Sequence, residues 1–306
     1  MVKLFLRSAI FLFFGHVVFA QSHSDKLNVL IVDGFSNHNW KQTSLVVKTI
    51  LENSDLFNVV ISTAPYENEH NEWKNWRPKF KDYDVVIQNT NNIHNKNIRW
   101  PREVEKNLEE YIRSGGGLYI LHSANNAFSR WEEYNLMIGL GWRSKDEGIA
   151  LQIKENKEIV EIPVHEGKYT YHGPRNDEII YILNDHAINK GFPKVWKTPD
   201  MELYKFARGP AKNLTVLSYA KDNNTNIKWP VEWVVSYGKG RVYNSSMGHL
   251  WKGDSYPVSY RCVGFQTILI RATEWLATGK SSYKIPNNFP TEHKIELVPL
   301  DPITKN

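Results

Sequence analysis

Apolar residues fall along this chain in two rhythms. NVLIVD (28–33) is a short unbroken apolar run that opens onto the polar loop GFSNHNW, the pattern of a buried strand feeding a loop. The spacing then predicts a helix from about 41 to 53, with Leu45, Val46, Thr49 and Ile50 on one face. Strands are expected over 57–63 and over DVVIQ (84–88), the latter followed by a polar NTNN loop. Residues 101–114 read as a helix: Pro101 suits a first turn, Val104, Leu108, Tyr111 and Ile112 make an apolar stripe, and Gly115-Gly116-Gly117 ends it. Leu118 to Leu121 is the next strand. Strand and helix alternating at this spacing imply a parallel sheet covered by helices on both faces.

The second half changes rhythm. EIIYIL (178–183), LTVLSYA (214–220), VEWVVSYG (231–238) and GRVYNSSMG (240–248) read as strands, with no room for a helix between the last two. Gly238-Lys239-Gly240 is a tight-turn signal that makes those two a hairpin. The expected fold class is therefore α/β, a mostly parallel central sheet with an antiparallel extension. A helix over about 263–278 stops at Gly279. One domain is expected over 27–280, with an irregular C-terminal tail over 281–306.

The N-terminus carries a different message. Lys3 and Arg7 precede an apolar run, Ser8 to Ala20, that ends Val18-Phe19-Ala20 before Gln21, the layout of a cleaved signal peptide over 1–20. An uncleaved anchor is the alternative, but the run falls short of the roughly 20 apolar residues that a span needs. The expectation is a secreted or periplasmic protein with no membrane span after cleavage. In such an oxidising compartment the single cysteine, Cys262, cannot form an internal disulfide, and its apolar surroundings mark it as a buried small hydrophobe rather than a nucleophile. The net charge of +5 comes from scattered bases interleaved with acids, so nothing points to a nucleic-acid partner.

Chemistry is expected at the carboxyl ends of the strands, where open α/β sheets bind ligands. His38, His122 and His249 each fall just beyond a predicted strand, and His172 sits in a His-Gly-Pro turn that can fold back over the sheet edge. Imidazoles exchange protons near neutral pH and ligate divalent metals such as zinc. The expected catalytic groups are His122, His172 and His249, which would also be the ligands if a metal is bound; no HExxH spacing supports a metal locally. Expected substrate contacts are His38, Asn39, Trp40, Ser123, Asn125, Glu232 and Trp251, with Asn37 and Asn126 nearby. Amides and hydroxyls pair with sugar hydroxyls, and a tryptophan face carries a sugar ring. Glu232 is included as an orienting group or base, although a surface carboxylate on an exposed strand face is the favoured reading of its position. Asp33 is read either as capping its loop or as touching ligand.

Three blocks then resemble one family. GGGLYILHSANNAF, the stretch from YHGPRNDEIIYIL to TPDMELYKF, and PVEWVVSYGKGRVYNSSMGH are similar, in order, to the ThuA (trehalose-utilisation) family. The resemblance implies a flavodoxin-like three-layer sandwich related to class I glutamine amidotransferases, and a role in the use of disaccharides or keto-sugars. The amidotransferase nucleophile is missing, since the turn reads Leu121-His122-Ser123-Ala124, without Cys and without flanking glycines. His186 also lies in a motif of the resemblance, but Ala187 stands where the family usually has Pro, so a turn-capping role is expected. The function expected is processing of a glycoside or keto-sugar by histidine chemistry. A non-catalytic carbohydrate-binding protein is the alternative, and a homo-oligomer is left open.

Overall fold

The computed structural model describes residues 26–65, 70–254 and 257–299; the leader expected over 1–20 lies outside them. The first half runs β1 (Leu27–Asp33), α1 (Trp40–Asn53), β2 (Phe57–Thr63), α2 (His70–Trp73), β3 (Val85–Gln88), α3 (Arg102–Arg113), β4 (Gly117–Leu121) and α4 (Glu132–Ile138). The second half runs β5 (Ile149–Ile153), β6 (Ile159–Ile162), β7 (Asn176–Ile182), β8 (Val195–Met201), β9 (Arg208–Gly209), β10 (Leu214–Lys221), β11 (Lys228–Tyr237), β12 (Gly240–Ser245), α5 (Val258–Arg261) and α6 (Val263–Thr278). Residues 280–299 contribute no helix or strand beyond an isolated bridge from Leu297 to Cys262. Among the described residues no helix is long and apolar enough to cross a membrane.

The main sheet has the order β2-β1-β3-β4-β12-β11-β10-β7-β8. Strands β2 through β12 in that order are parallel to their neighbours, and from β12 to β8 the pairing is antiparallel. Strands β5, β6 and β9, which the apolar rhythm had not signalled, attach to β11 as a side ribbon.

Alternate residues of the central strands feed two separate cores, which is why these strands read as unbroken apolar runs. Val29, Ile31, Val85, Ile87, Tyr119 and Leu121 face α1 and α6, packing with Val46, Val47, Ile50, Phe265 and Ile268. Leu30, Val32, Val86, Leu118 and Ile120 face α3 and α4, against Val104, Leu108, Ile112, Met137 and Ile138. The result is the expected three-layer sandwich. In α3 the buried Val104, Leu108 and Ile112 each contribute about 1.5–3 kcal/mol by leaving water. The hairpin between β11 and β12 turns at Gly238, where φ is +60° and a β-carbon would stand 2.7 Å from the Arg113 carbonyl oxygen.

Strand β1 has β2 on one side and β3 on the other, so the chain reverses its direction of winding there, and a crevice opens between the loops after β1 and β3. At the far edge β8 does not stand free. Helix α6 touches β3, β4 and β12 and also β8, so the antiparallel extension curls back around it.

One buried acid of the extension makes stability depend on pH. Glu178 in β7 is buried, and burial, reinforced by the Asp222 carboxylate, raises its carboxyl to about 7. The unfolded chain releases this proton near 4.5 while the native chain holds it, so native stability falls as pH rises from about 4.5 to about 7. Urea unfolding across that window is expected to show a loss on the order of 2 kcal/mol from this group, absent in Glu178→Gln. An identical pH slope in wild type and variant would refute the assignment.

Candidate functional site

Three loops at the carboxyl rim of the parallel strands converge. After β1 the chain passes the end of β2 so closely that a β-carbon on Gly34 would lie 2.2 Å from the Ala64 carbonyl oxygen, and φ there is +135°. This brings Ser36, Asn37 and His38 over the crevice. After β4, His122 itself adopts φ of +39°, an uncommon conformation for a residue with a β-carbon, and opens a 3-10 turn over 122–126. After β12, the loop through Ser246 and Gly248 delivers His249. A fourth loop arrives from the curled extension, since Glu202 directly follows β8 and His172 precedes β7.

The rings of His38, His122 and His249 form a near-equilateral triangle, with centroids 5.1, 5.0 and 5.2 Å apart. All three are buried, and so is Glu202. The Glu202 carboxylate lies 3.6 Å from His122 Nε2, 3.2 Å from His249 Nε2 and 3.5 Å from His172 Nε2. The ligating atoms of His38, His122, Glu202 and His249 all fall within 4.8 Å of one another.

Outer hydrogen bonds decide which ring nitrogen faces inward. His122 Nδ1 donates to the Ser246 carbonyl oxygen at 2.8 Å, and His38 Nδ1 donates to Asn37 Oδ1 at 2.9 Å. Asn91 Nδ2 holds the same Asn37 oxygen at 2.7 Å, tying the loop after β3 to the loop after β1. Both imidazoles therefore turn an Nε2 lone pair toward the centre, the tautomer that metal-ligating histidines adopt. His249 differs: Arg175 Nη1 donates to its Nδ1 at 3.1 Å, so its proton sits on Nε2. For His249 to ligate a metal, Arg175 must turn wholly to Asp200 and Asp254, with which it already pairs at 3.4 and 2.7 Å.

The inward Nε2 atoms of His38, His122 and His249 are buried without a hydrogen-bond partner. Orphaned polar atoms in a protein interior cost about 1–3 kcal/mol each, so three around one carboxylate mark a place built for a ligand. Charge agrees. Burial, then the neighbouring His122 and His249, lowers His38 to about 2, and burial followed by His122 lowers His249 to about 3. Burial on its own would raise Glu202, but the adjacent His122, then His249 and His172, outweigh it and hold the carboxyl at about 2. One carboxylate and three imidazoles whose ring nitrogens gather around it are the donor set of a divalent transition metal.

The ThuA (trehalose utilisation) sequence profile matches residues 28–276. The chain belongs to the ThuA family. Its fold is similar to that of a ThuA-like protein from Parabacteroides merdae ATCC 43184, with a TM-score of 0.82 and 31% identity over 89% of this chain and 98% of that one. A Thermoplasma acidophilum protein named for GMP synthase gives a TM-score of only 0.42 at 8% identity, over 84% of this chain and 96% of that one. No curated protein matches. ThuA membership places the chain in carbohydrate utilisation in general terms.

Within this ThuA-family structure the expected site residues separate into those gathered and those left aside. His122, His249 and His38 share one centre, and Trp251 lies against it, 43% exposed, its ring 4.9 Å from His38 and stacked at 6.2 Å on His249. The tightest group, with its ligating atoms within 4.8 Å of one another, contains His38 and not His172. His172 is exposed, its Nδ1 donates to the Gly173 carbonyl oxygen, and its ring leans on Trp142 at 5.5 Å. Ser123 is buried beside Ser36, with their hydroxyl oxygens 3.5 Å apart. Asn125 is buried with neither amide atom hydrogen-bonded.

Three expected contacts lie elsewhere. Asn39 is the N-cap of α1, accepting from Gln42 N and donating to Gln42 Oε1. Trp40, one residue into the helix, lines a separate cavity with Asp33 and Thr63. Glu232 is sealed inside the sheet, because β11 is an interior strand; Ser218 and Tyr243 donate to it at 2.5 and 2.6 Å, and burial raises its carboxyl. The carboxylate that faces the histidines is Glu202. It stands in the DMELY segment of the family resemblance, which was the available signal, but no periodicity showed that β8 curls back to the rim. Arg175 and Asn91 were likewise unassigned. His186, as expected, shapes a turn, its Nδ1 accepting from Ile188 N at 3.3 Å. Cys262 is buried, with its thiol pushed up by burial.

Proposed function

We propose that this protein is an exported carbohydrate-processing enzyme that acts on a glycoside or keto-sugar at a divalent metal held by His38, His122 and Glu202, with His249 as a fourth ligand when Arg175 releases it. The observation that carries the reading is the set of three buried, unpartnered imidazole nitrogens around one carboxylate. Export rests on the signal-peptide pattern of residues 1–20.

When bound, the metal supplies positive charge next to a substrate oxygen, where negative charge develops during reaction. The chain's own groups do the rest. Trp251 offers an exposed aromatic face directly over the centre, suited to the apolar face of a sugar ring. His172, accessible to solvent and beside Glu202, is placed to carry a proton. On a keto-sugar, its Nε2 would take the proton from the carbon next to the carbonyl, and the C–H electron pair would enter the new C–C double bond of an enolate. Returning the proton to the opposite face of that carbon epimerises the sugar. Where the glycosidic oxygen sits on the β-carbon, collapse of the enolate breaks that C–O bond, the departing oxygen takes the proton from His172, and an α,β-unsaturated keto-sugar is left.

Elemental analysis of the purified protein, paired with a turnover screen of disaccharides and their keto forms, tests the reading. Close to one zinc or similar ion per chain, with turnover of at least one sugar that a chelator abolishes, is expected. Sugar binding without turnover, at any metal content, would leave a carbohydrate-binding protein instead. Trp251→Ala is expected to raise KM about tenfold with kcat within about twofold, as a lost platform should. An unchanged KM removes Trp251 from the substrate site.

A further inference from the structure

We infer that strand β2 is a dimerisation edge, where two copies of this chain join their sheets in antiparallel fashion across a two-fold axis at Val60. The inference goes beyond the chemistry proposed above and does not depend on it.

Strand β2 ends the main sheet, with β1 on one side and, among the described residues, no strand on the other. The N–H and C=O of one strand residue point to the same side, and successive residues alternate. Leu27 N donates to the Leu56 carbonyl oxygen at 2.9 Å and Ala64 N to that of Asp33 at 2.7 Å, so residues 56, 58, 60, 62 and 64 turn toward β1. The backbone groups of Phe57, Val59, Ile61 and Thr63 therefore point outward. Lys48 of α1 agrees, since its Nζ reaches the Val59 carbonyl oxygen from outside.

A bare edge templates pairing with another chain, and sheets ordinarily blunt it with charge, proline or a bulge. The opposite end of the sheet follows that rule: β8 reads VWKTPDM, with a lysine, a proline and an aspartate, and it lies against α6. Strand β2 reads FNVVIST, with no charge, no proline and no bulge against β1. Apolar side chains also stand exposed on both sides of it. Phe57 and Val59 pack under α1, so Val60 faces the other way, and it is 50% exposed. Leu45, equally exposed, lies one turn from Lys48 on α1 and lines a groove with Trp40 and Ile61. Covering the strand and both flanks takes a sheet with its own helix layer, which a second copy supplies and a single extended peptide does not.

The strand is also complementary to itself. Outward residues must pair with outward residues, and a dyad at Val60 sets Val59 against Ile61 and Phe57 against Thr63 of the second copy. Val60 then meets its own counterpart, and Asn58 meets Ser62. Branched apolar side chains oppose each other, an amide opposes a hydroxyl, and no like charges meet. The second copy's Ile61 N–H takes the Val59 carbonyl, and Lys48 turns wholly to Glu52, with which it already pairs at 2.6 Å. Seven residues at about 3.3 Å give an edge roughly 23 Å long, and sheet plus helix layer are about 20 Å deep. About 1,000 Å² is then buried in all, the lower end of specific interfaces, so a micromolar dimer is expected.

Sedimentation velocity of the purified protein from about 1 to about 200 μM tests this, and wild type is expected to pass from monomer to dimer in that range. Val60→Lys sets two ammonium groups face to face at the dyad. It should weaken the dimer at least about tenfold and, at an exposed position, leave Tm within about 2 °C. Val60→Cys should form an intermolecular disulfide on mild oxidation, since paired α-carbons there stand about 4.5 Å apart. Asn58→Cys should not, its two copies lying roughly 14 Å apart along the strands. Cys262 is buried and leaves the readout clean. A wild type that stays monomeric throughout, a dimer indifferent to Val60→Lys, or equal cross-linking of both cysteine variants would overturn the β2 dimer.

Discussion

Replacing His122 by alanine is expected to strip the metal from the protein and to abolish turnover. His122 is the best fixed of the proposed ligands: its Nδ1 is anchored on the Ser246 carbonyl, its Nε2 faces the centre without a partner, and Glu202 stands 3.6 Å away. Removing even an outer-sphere partner of a metal site costs about 10–100-fold in affinity, so loss of a ligand should cost more than about 100-fold. Metal content should fall from near one ion per chain to under about a tenth, with turnover falling at least about 1000-fold. Because His122 holds φ of +39°, His122→Asn is the control: asparagine tolerates that conformation, so it isolates loss of the imidazole from any relaxation of the turn. Full metal content in both variants would remove His122 from the ligand set and with it the reading proposed above.

Arg208→Met is expected to cause the largest loss of stability of any single substitution considered. Arg208 is fully buried, and its guanidinium donates to the carbonyls of Lys168 at 2.8 Å and Gly148 at 2.9 Å, and to those of Pro163 and Glu166. These are the loops that close the side ribbon and lead through Thr170 to His172. Thr170 continues the brace, donating to the Phe206 carbonyl oxygen at 2.7 Å. Methionine matches the stem but leaves several buried carbonyls without donors, at about 1–3 kcal/mol each before relaxation. A net loss of about 3–5 kcal/mol, or a fall in Tm of roughly 10 °C, is expected. Arg113→Ala breaks an exposed pair with Glu133 and should cost under about 1 kcal/mol. A Tm for Arg208→Met within about 2 °C of wild type would show that the loops hold without this cation.

The physics that makes one residue legible in sequence hides another. NVLIVD, VVIQ and GLYIL announce strands buried on two faces because burial on both sides requires unbroken apolar runs, and the stripe of α3 announces a helix because one face must be dry. The side ribbon escaped this reading. Its β6 is half-exposed, and β9 is a two-residue strand whose buried side chain is an arginine. Histidines at strand exits were visible because a ligand rim at the carboxyl ends of parallel strands follows from chain direction alone.

What the sequence determined by itself was therefore local: the strands and helices of the parallel half and of the β11–β12 hairpin, which face of α3 is dry, and that His38, His122 and His249 each follow a strand. The tertiary structure alone decided that Glu202 and not Glu232 faces the histidines, that His38 joins His122 and His249 in one buried cluster while His172 stays exposed, and that Trp40 turns to another cavity. The reason is geometric. Each of these outcomes depends on how far the antiparallel edge curls around α6, and on which nitrogen an outer carbonyl or amide leaves facing inward, and neither leaves any period in the chain.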